Sequence, residues 1–145
     1  MAFELVKDGG VTEMIEVTIS SLTLAVGDML ELDVGATAWT EADASTEHWQ
    51  KKLVVKEPTT TADTLVKGIV VTDLQTWKCE SANASDTADN GDRMLLTDKN
   101  TVNNSGSDSG AEEAVFVQLA PSGATTDNRI IGKFVGGIGV NPAAA

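Results

Sequence analysis

Tyrosine is absent from the 145-residue chain, and aromatic residues make up only 4%, three Phe and three Trp. A core must therefore come mainly from Val, Ile and Leu, which pack well on a pleated surface and favour strands. The single cysteine, Cys79, rules out an intrachain disulfide and a cysteine-built zinc site, and it reads as a small buried hydrophobe. The single histidine, His48, removes the usual zinc and iron ligand sets. It also leaves any Ser-His-Asp or Cys-His catalysis to a residue flanked by Glu47 and Trp49, with no nucleophile motif beside it. His48 reads as a surface or partly packed side chain. Basic residues are scarce, 10 Lys and Arg against 22 Asp and Glu, for a net charge of −12. That charge repels phosphate backbones and leaves no basic stripe, so nucleic acid is not expected as a partner and a basic protein surface is. No long apolar run exists: the most apolar tract, Arg129 to Val140, contains Lys133 and is too short to span a bilayer. The first twenty residues lack the basic start and apolar stretch of a signal peptide. The expectation is a chain made in the cytoplasm with no membrane role.

What is present suits one globular domain. Hydrophobic residues reach 41% and charged residues 22%, ordinary globular usage at a length of roughly one domain. Glu13 to Ile19 alternates, with Ile15, Val17 and Ile19 on one side and Met14, Glu16 and Thr18 on the other. Asp28 to Val34 follows the turn pair Gly27-Asp28 and is expected to place Leu30, Leu32 and Val34 inward and Glu31 and Asp33 outward. Further short runs at Leu53–Glu57, Leu65–Thr72, Gln75–Glu80, Met94–Thr97, Ala114–Leu119 and Arg129–Ile138 bring the total to about eight strands. Gly68 inside one of them marks a bulge or a close backbone approach, and Trp77 with Cys79 shares the inward face of another. Thr40 to Lys52 has some helical character. Ser81 to Asp92 and Asn100 to Gly110 are rich in Ser, Asn, Asp, Thr and Gly and read as exposed loops. The fold class expected is mainly β, a small antiparallel barrel or sandwich with an extended N-terminal arm and long polar loops. The arm covers residues 1–12, the body residues 13–140, and a frayed end residues 141–145.

The candidate chemistry is thin. Twenty-two carboxylates can pair as in a glycosidase, but nothing singles out two of them. Trp39 and Trp49 are the candidate platforms for a carbohydrate-binding module. Asp86-Thr87-Ala88-Asp89-Asn90-Gly91-Asp92 crowds oxygens around a glycine. Aligning Gly91 with the sixth position of an EF-hand loop puts Ala88 and Thr97 where ligands belong, so the segment reads as a polar loop serving turns. The glycines of Gly132 to Gly139 follow no phosphate-binding pattern and suit close approach of backbone to backbone. No enzyme active site, cofactor or metal is expected.

Residues 1–12 combine Phe3, Leu5 and Val6 with Gly9 and Gly10, a strand-capable segment followed by two glycines. Such an arm can pair with the sheet edge of another chain. Leu24-Ala25-Val26-Gly27-Asp28-Met29-Leu30-Glu31-Leu32, then Val66-Lys67-Gly68-Ile69-Val70-Val71, then Val115-Phe116-Val117-Gln118-Leu119 resembles the strand order of head decoration (cement) proteins of tailed bacteriophages. The resemblance covers roughly residues 15 to 120 and rests on pattern. It implies a non-enzymatic virion protein, usually a homotrimer, on the outer surface of an icosahedral capsid, bridging major capsid subunits. The arm, through Phe3, Leu5, Val6, Gly9 and Gly10, is then the expected capsid contact. Another virion part, in a tail or fibre, and a carbohydrate-binding β-module are the alternatives.

Overall fold

The structure, a computed structural model, describes residues 2–10, 12–104 and 114–136. The eleven strands among them are β1 (Glu4–Lys7), β2 (Met14–Thr18), β3 (Met29–Leu32), β4 (Thr40–Glu41), β5 (Lys51–Val55), β6 (Leu65–Val70), β7 (Thr76–Ser81), β8 (Arg93–Asp98), β9 (Thr101–Asn103), β10 (Phe116–Pro121) and β11 (Arg129–Phe134). The expected mainly-β class holds, with the barrel foreseen for it and a second sheet beside that barrel. β7, β11, β10, β8 and β9 form a closed five-stranded barrel, with β1 bonded to the outside of β7. β2, β6, β5, β3 and β4 form a second, open antiparallel sheet.

Period-two alternation builds the barrel. Along β7, Trp77, Cys79 and Ser81 are buried while Thr76, Lys78 and Glu80 are half-buried. Along β11, Ile130, Gly132 and Phe134 point inward in the same way. Gly132 has no room for a side chain: a Cβ there overlaps the Val117 carbonyl and the Phe116 ring. The scarce aromatics converge on Phe134, whose ring centroid lies 5.0 Å from Phe116, 5.3 Å from Phe3 and 6.2 Å from Trp77. Each such pair contributes about 0.5–1.5 kcal/mol beyond area burial. Closure falls to β9, which runs parallel to β7 with Glu80 opposite Thr101 and Ser81 opposite Val102.

The second sheet buries both faces. Met29, Val54 and Ile69 join the barrel core, while Leu30, Leu53, Val55, Val66 and Val17 pack on the opposite face with Ile19, Leu24 and Trp39. Gly68 is the close approach expected of it, because a Cβ there overlaps the Leu53 side chain and sits 2.6 Å from the Val54 carbonyl. Thr59 pins the covering loop, accepting from the Leu24 amide and donating to the Leu22 carbonyl at 2.6 Å.

Four expectations are corrected. Thr40 to Lys52 is not helical. Its short polar side chains capture local backbone groups, Thr46 Oγ1 accepting from the Asp43 amide, Asp43 Oδ1 from the Ser45 amide and Gln50 Oε1 from the Glu47 amide. β3 ends at Leu32, so Val34 is 72% exposed in a turn and Glu31 is only 7% exposed. Asn100 to Gly110 is not all loop, since Thr101–Asn103 is the strand that closes the barrel, with Val102 fully buried. The Ser81–Asp92 segment is anchored rather than wholly exposed. Buried Gln118 accepts from Ser85 Oγ at 2.7 Å and donates to the Asp86 carbonyl and Asn90 Oδ1. The rest of the Asn100–Gly110 loop from residue 105, the glycines from residue 137, the expected end of the last strand at Ile138 and the C-terminal end at 141–145 lie outside the described residues.

Candidate protein-binding interface at the N-terminal strand

The N-terminal segment is extended, as expected, but it does not stand free. β1 pairs antiparallel with β7, Glu4 opposite Lys78 and Leu5 opposite Trp77, with a register shift between Leu5 and Lys7. Phe3 is 3% exposed inside the aromatic cluster, and its amide donates to the Gly27 carbonyl at 3.0 Å. Gly27 makes that docking possible. Its φ is +94°, and a Cβ there would lie 2.9 Å from the Ala2 Cβ and 3.1 Å from the Phe3 carbonyl oxygen. An apolar phenylalanine next to a strand gains more by filling the body's own core than by waiting for a partner. The division into an arm at 1–12 and a body from 13 therefore moves: the body begins with Ala2 and Phe3.

The residues expected to touch a partner separate into two groups. Phe3 is spent on the core. Leu5 is half-buried beside it, and Gly9, at φ +63°, presses against the Leu74 carbonyl, where no Cβ fits. Val6, 46% exposed, and Gly10, with open space around it, remain on the surface. Between them the Asp8 carboxylate accepts from the Gly10 amide at 2.8 Å and from Thr12 Oγ1, which fixes the turn that carries the chain from barrel to open sheet.

The surface feature that results is an edge. β1 is the last strand of its sheet, bonded on one side to β7, and among the described residues no strand pairs with its other side. Beside it lies a groove of about 300 Å³ whose lining includes Phe3, Leu5, Val26, Lys56, Ile69 and Trp77. An open edge over an apolar groove can accept an extended segment, main-chain hydrogen bonds supplying affinity and the groove receiving alternate side chains. Glu4 keeps the strand's charge partly balanced, lying 3.9 Å from Arg129 and 4.0 Å from Lys78. Val26 and Lys56 were not anticipated as part of this surface. Only the Gly27-Asp28 turn marked the neighbourhood, and sequence alone does not say that Phe3 folds back against it.

The other sequence candidates have packing or capping roles. Cys79 is fully buried, and burial pushes its thiol well above the ordinary value of 9.0, away from the reactive thiolate. His48 is half-buried with Gly136 against it, the partly packed side chain expected. Trp39 and Trp49 are 7% and 8% exposed, so neither offers a flat sugar platform. In the Asp86–Asp92 loop, Asp86 accepts from the Ala88 amide and Asp89 from the Asp86 amide, which are turn and cap duties. No protein-family model matches the chain, and no curated protein matches it either.

Proposed function

We propose that this protein is a non-enzymatic virion structural protein that binds the outer surface of an icosahedral bacteriophage capsid and stabilises contacts between major capsid subunits. The observation that carries the reading is the unpaired outer edge of β1 above its apolar groove. A rigid barrel behind that edge presents it with little ordering cost, and the aromatic cluster under Phe3 holds it in register. The acidic surface, net −12, suits a basic capsid exterior. Assembly as a homotrimer multiplies the edges and raises avidity over that of one contact. The partner strand comes to β1, so the arm need not leave its own body.

Deleting residues 1–12 is not a clean test, because it removes Phe3 from the core. The better variant is Val6→Asp, which puts a charge on the exposed residue of the edge strand. Purified protein is expected to sediment with expanded heads of the phage that carries the gene, and Val6→Asp to weaken that binding at least tenfold with an unchanged circular dichroism spectrum. Undiminished binding by the variant, or virions whose heads lack the protein by electron microscopy, would sink the proposal. Density on the tail or fibres would transfer the same edge to a different virion site.

A further inference from the structure

The open sheet carries a second surface that the edge of β1 does not explain. Five carboxylates, those of Glu31, Asp33, Glu41, Asp43 and Glu47, line one pocket of about 610 Å³, with Trp49 in its wall. Acidic residues on a surface are unremarkable in so acidic a chain. Glu31 is different: it is 7% exposed, and its Oε2 is buried without any hydrogen-bond partner. Its carboxylate interacts with Asp33 and Asp43, two of the other four acids of the pocket, and its one hydrogen-bonding side chain is Thr46. A buried anionic oxygen left without a donor is destabilising, and the fold tolerates it.

Two lysines beside these acids already have other partners. Lys52, opposite Glu31 in the β3–β5 register, donates its Nζ to the carbonyls of Gln50 at 2.8 Å and His48 at 3.1 Å. Lys99 lies 3.3 Å from Glu41 and 3.8 Å from Asp28. All 10 lysines and arginines fall among the described residues, so no undescribed segment can supply a basic side chain. A bare metal ion fits poorly as well: among the described residues, no three His, Cys, Asp or Glu converge closely enough to hold one. A guanidinium differs from an ion. Its planar fork of donors spans carboxylates too far apart to share a metal, and it is weakly enough hydrated to leave water beside an indole.

We propose that this pocket receives an arginine side chain of a partner protein, its guanidinium set among Glu31, Asp33 and Asp43. The inference stands apart from the capsid reading, since the pocket lies on the open sheet and asks only that some partner present an exposed arginine. Burial and the two neighbouring acids hold Glu31 above the ordinary carboxylate range, against Thr46 and Lys52, and a bound cation reverses that.

The test uses the full chain, a tri-arginine peptide and spermidine as probes, and amide chemical shifts as the readout at about 0.05 and 0.15 M salt. Tri-arginine is expected to shift amides of residues 40–50 saturably. Glu31→Gln is expected to weaken it at least tenfold and Asp33→Asn at least threefold, while Glu16→Gln on β2, outside the pocket, leaves affinity unchanged. If Glu31→Gln fails to fold, Asp33→Asn decides. Shifts spread over the whole acidic surface, affinity unaltered in both pocket variants, or spermidine binding the same residues as tightly as tri-arginine would each overturn the proposal.

Discussion

The closed barrel and the open sheet solve the same problem with different materials. The barrel buries aromatics and has no strand edge of its own except where β1 is added outside. The sheet is aliphatic, buries both faces, ends in β2 and β4, and places Lys52 at 1% exposure with Glu31 at 7% on facing strands. Barrel closure removes the pairing liability of edges, and the interior packs rings among aliphatic side chains. An open sheet keeps edges and polar surfaces available for partners. Its buried charges are expensive in isolation, and such pairs add little net stability while being costly to break. On the two proposals above, the difference is a division of labour, rigidity from the barrel and recognition around the sheet and its junction with β1.

The largest expected effect tests the aromatic side of that comparison. Phe134→Ala removes the ring at the centre of the cluster and should cost about 4 kcal/mol, measured by urea denaturation. Because Met29, Val54 and Ile69 of the sheet share the barrel's core, the loss should appear in a single transition reported alike by fluorescence and circular dichroism. Two separated transitions would show the regions to be independent. Phe3→Ala should cost about 3 kcal/mol. A cost below about 1 kcal/mol would mean that the N-terminal segment is a loose arm after all.

The two regions also respond to alkali with opposite signs. Burial lowers the Lys52 ammonium from 10.5 to about 8, the Glu31 charge opposing the shift. Between those values the unfolded chain holds a proton that the folded one has released, so stability rises with pH through that window. Cys79 in the barrel does the reverse. Its pKa is raised, so above 9.0 the unfolded thiol ionises while the folded one stays protonated, and stability falls. The sum is a gain of about 1 kcal/mol from pH 7 to 9 and a plateau beyond it. Cys79→Ala should convert the plateau into a continued rise to about pH 10, and Lys52→Met should leave only the decline. At pH 7 Lys52→Met should itself cost about 3 kcal/mol, because Glu31 loses its countercharge and the His48 and Gln50 carbonyls lose their donor. A flat profile from pH 7 to 9 in the wild type would remove Lys52 as its source.

Much of the barrel and sheet is legible as alternation. Ile15, Val17 and Ile19 against Met14, Glu16 and Thr18, or Trp77 and Cys79 on one face of β7, follow from period two and burial alone. What escapes is decided by distant partners. β9 is three residues with one apolar side chain, and only the neighbours on both sides make Thr101–Asn103 a strand. Glu31 reads as outward because charged residues usually are, yet it is nearly buried and hydrogen-bonds Thr46 of the turns at 43–50. Gln118 looks like an ordinary polar position between valine and leucine, although it is fully buried and organises the loop before β8. The N-terminal candidate site is half legible: the strand and its glycines are visible in the sequence, while the docking of Phe3 beneath Gly27 depends on contacts made across the whole chain.

The smallest expected effect lies at the junction of the two regions. Val6 sits at the irregular point of β1, 46% exposed, so truncating it removes little buried area. Val6→Ala should change stability by less than about 0.5 kcal/mol, as surface substitutions do, and shift the melting temperature by only a degree or two. Its neighbour Phe3 offers the contrast, a large cost three residues away on the same segment. Should Val6→Ala cost more than about 1 kcal/mol at high protein concentration but nothing at a dilution that dissociates oligomers, the edge is already occupied by a second copy. β1 would then serve self-association first, and the surface left for any other partner would have to be sought at β2 and β4.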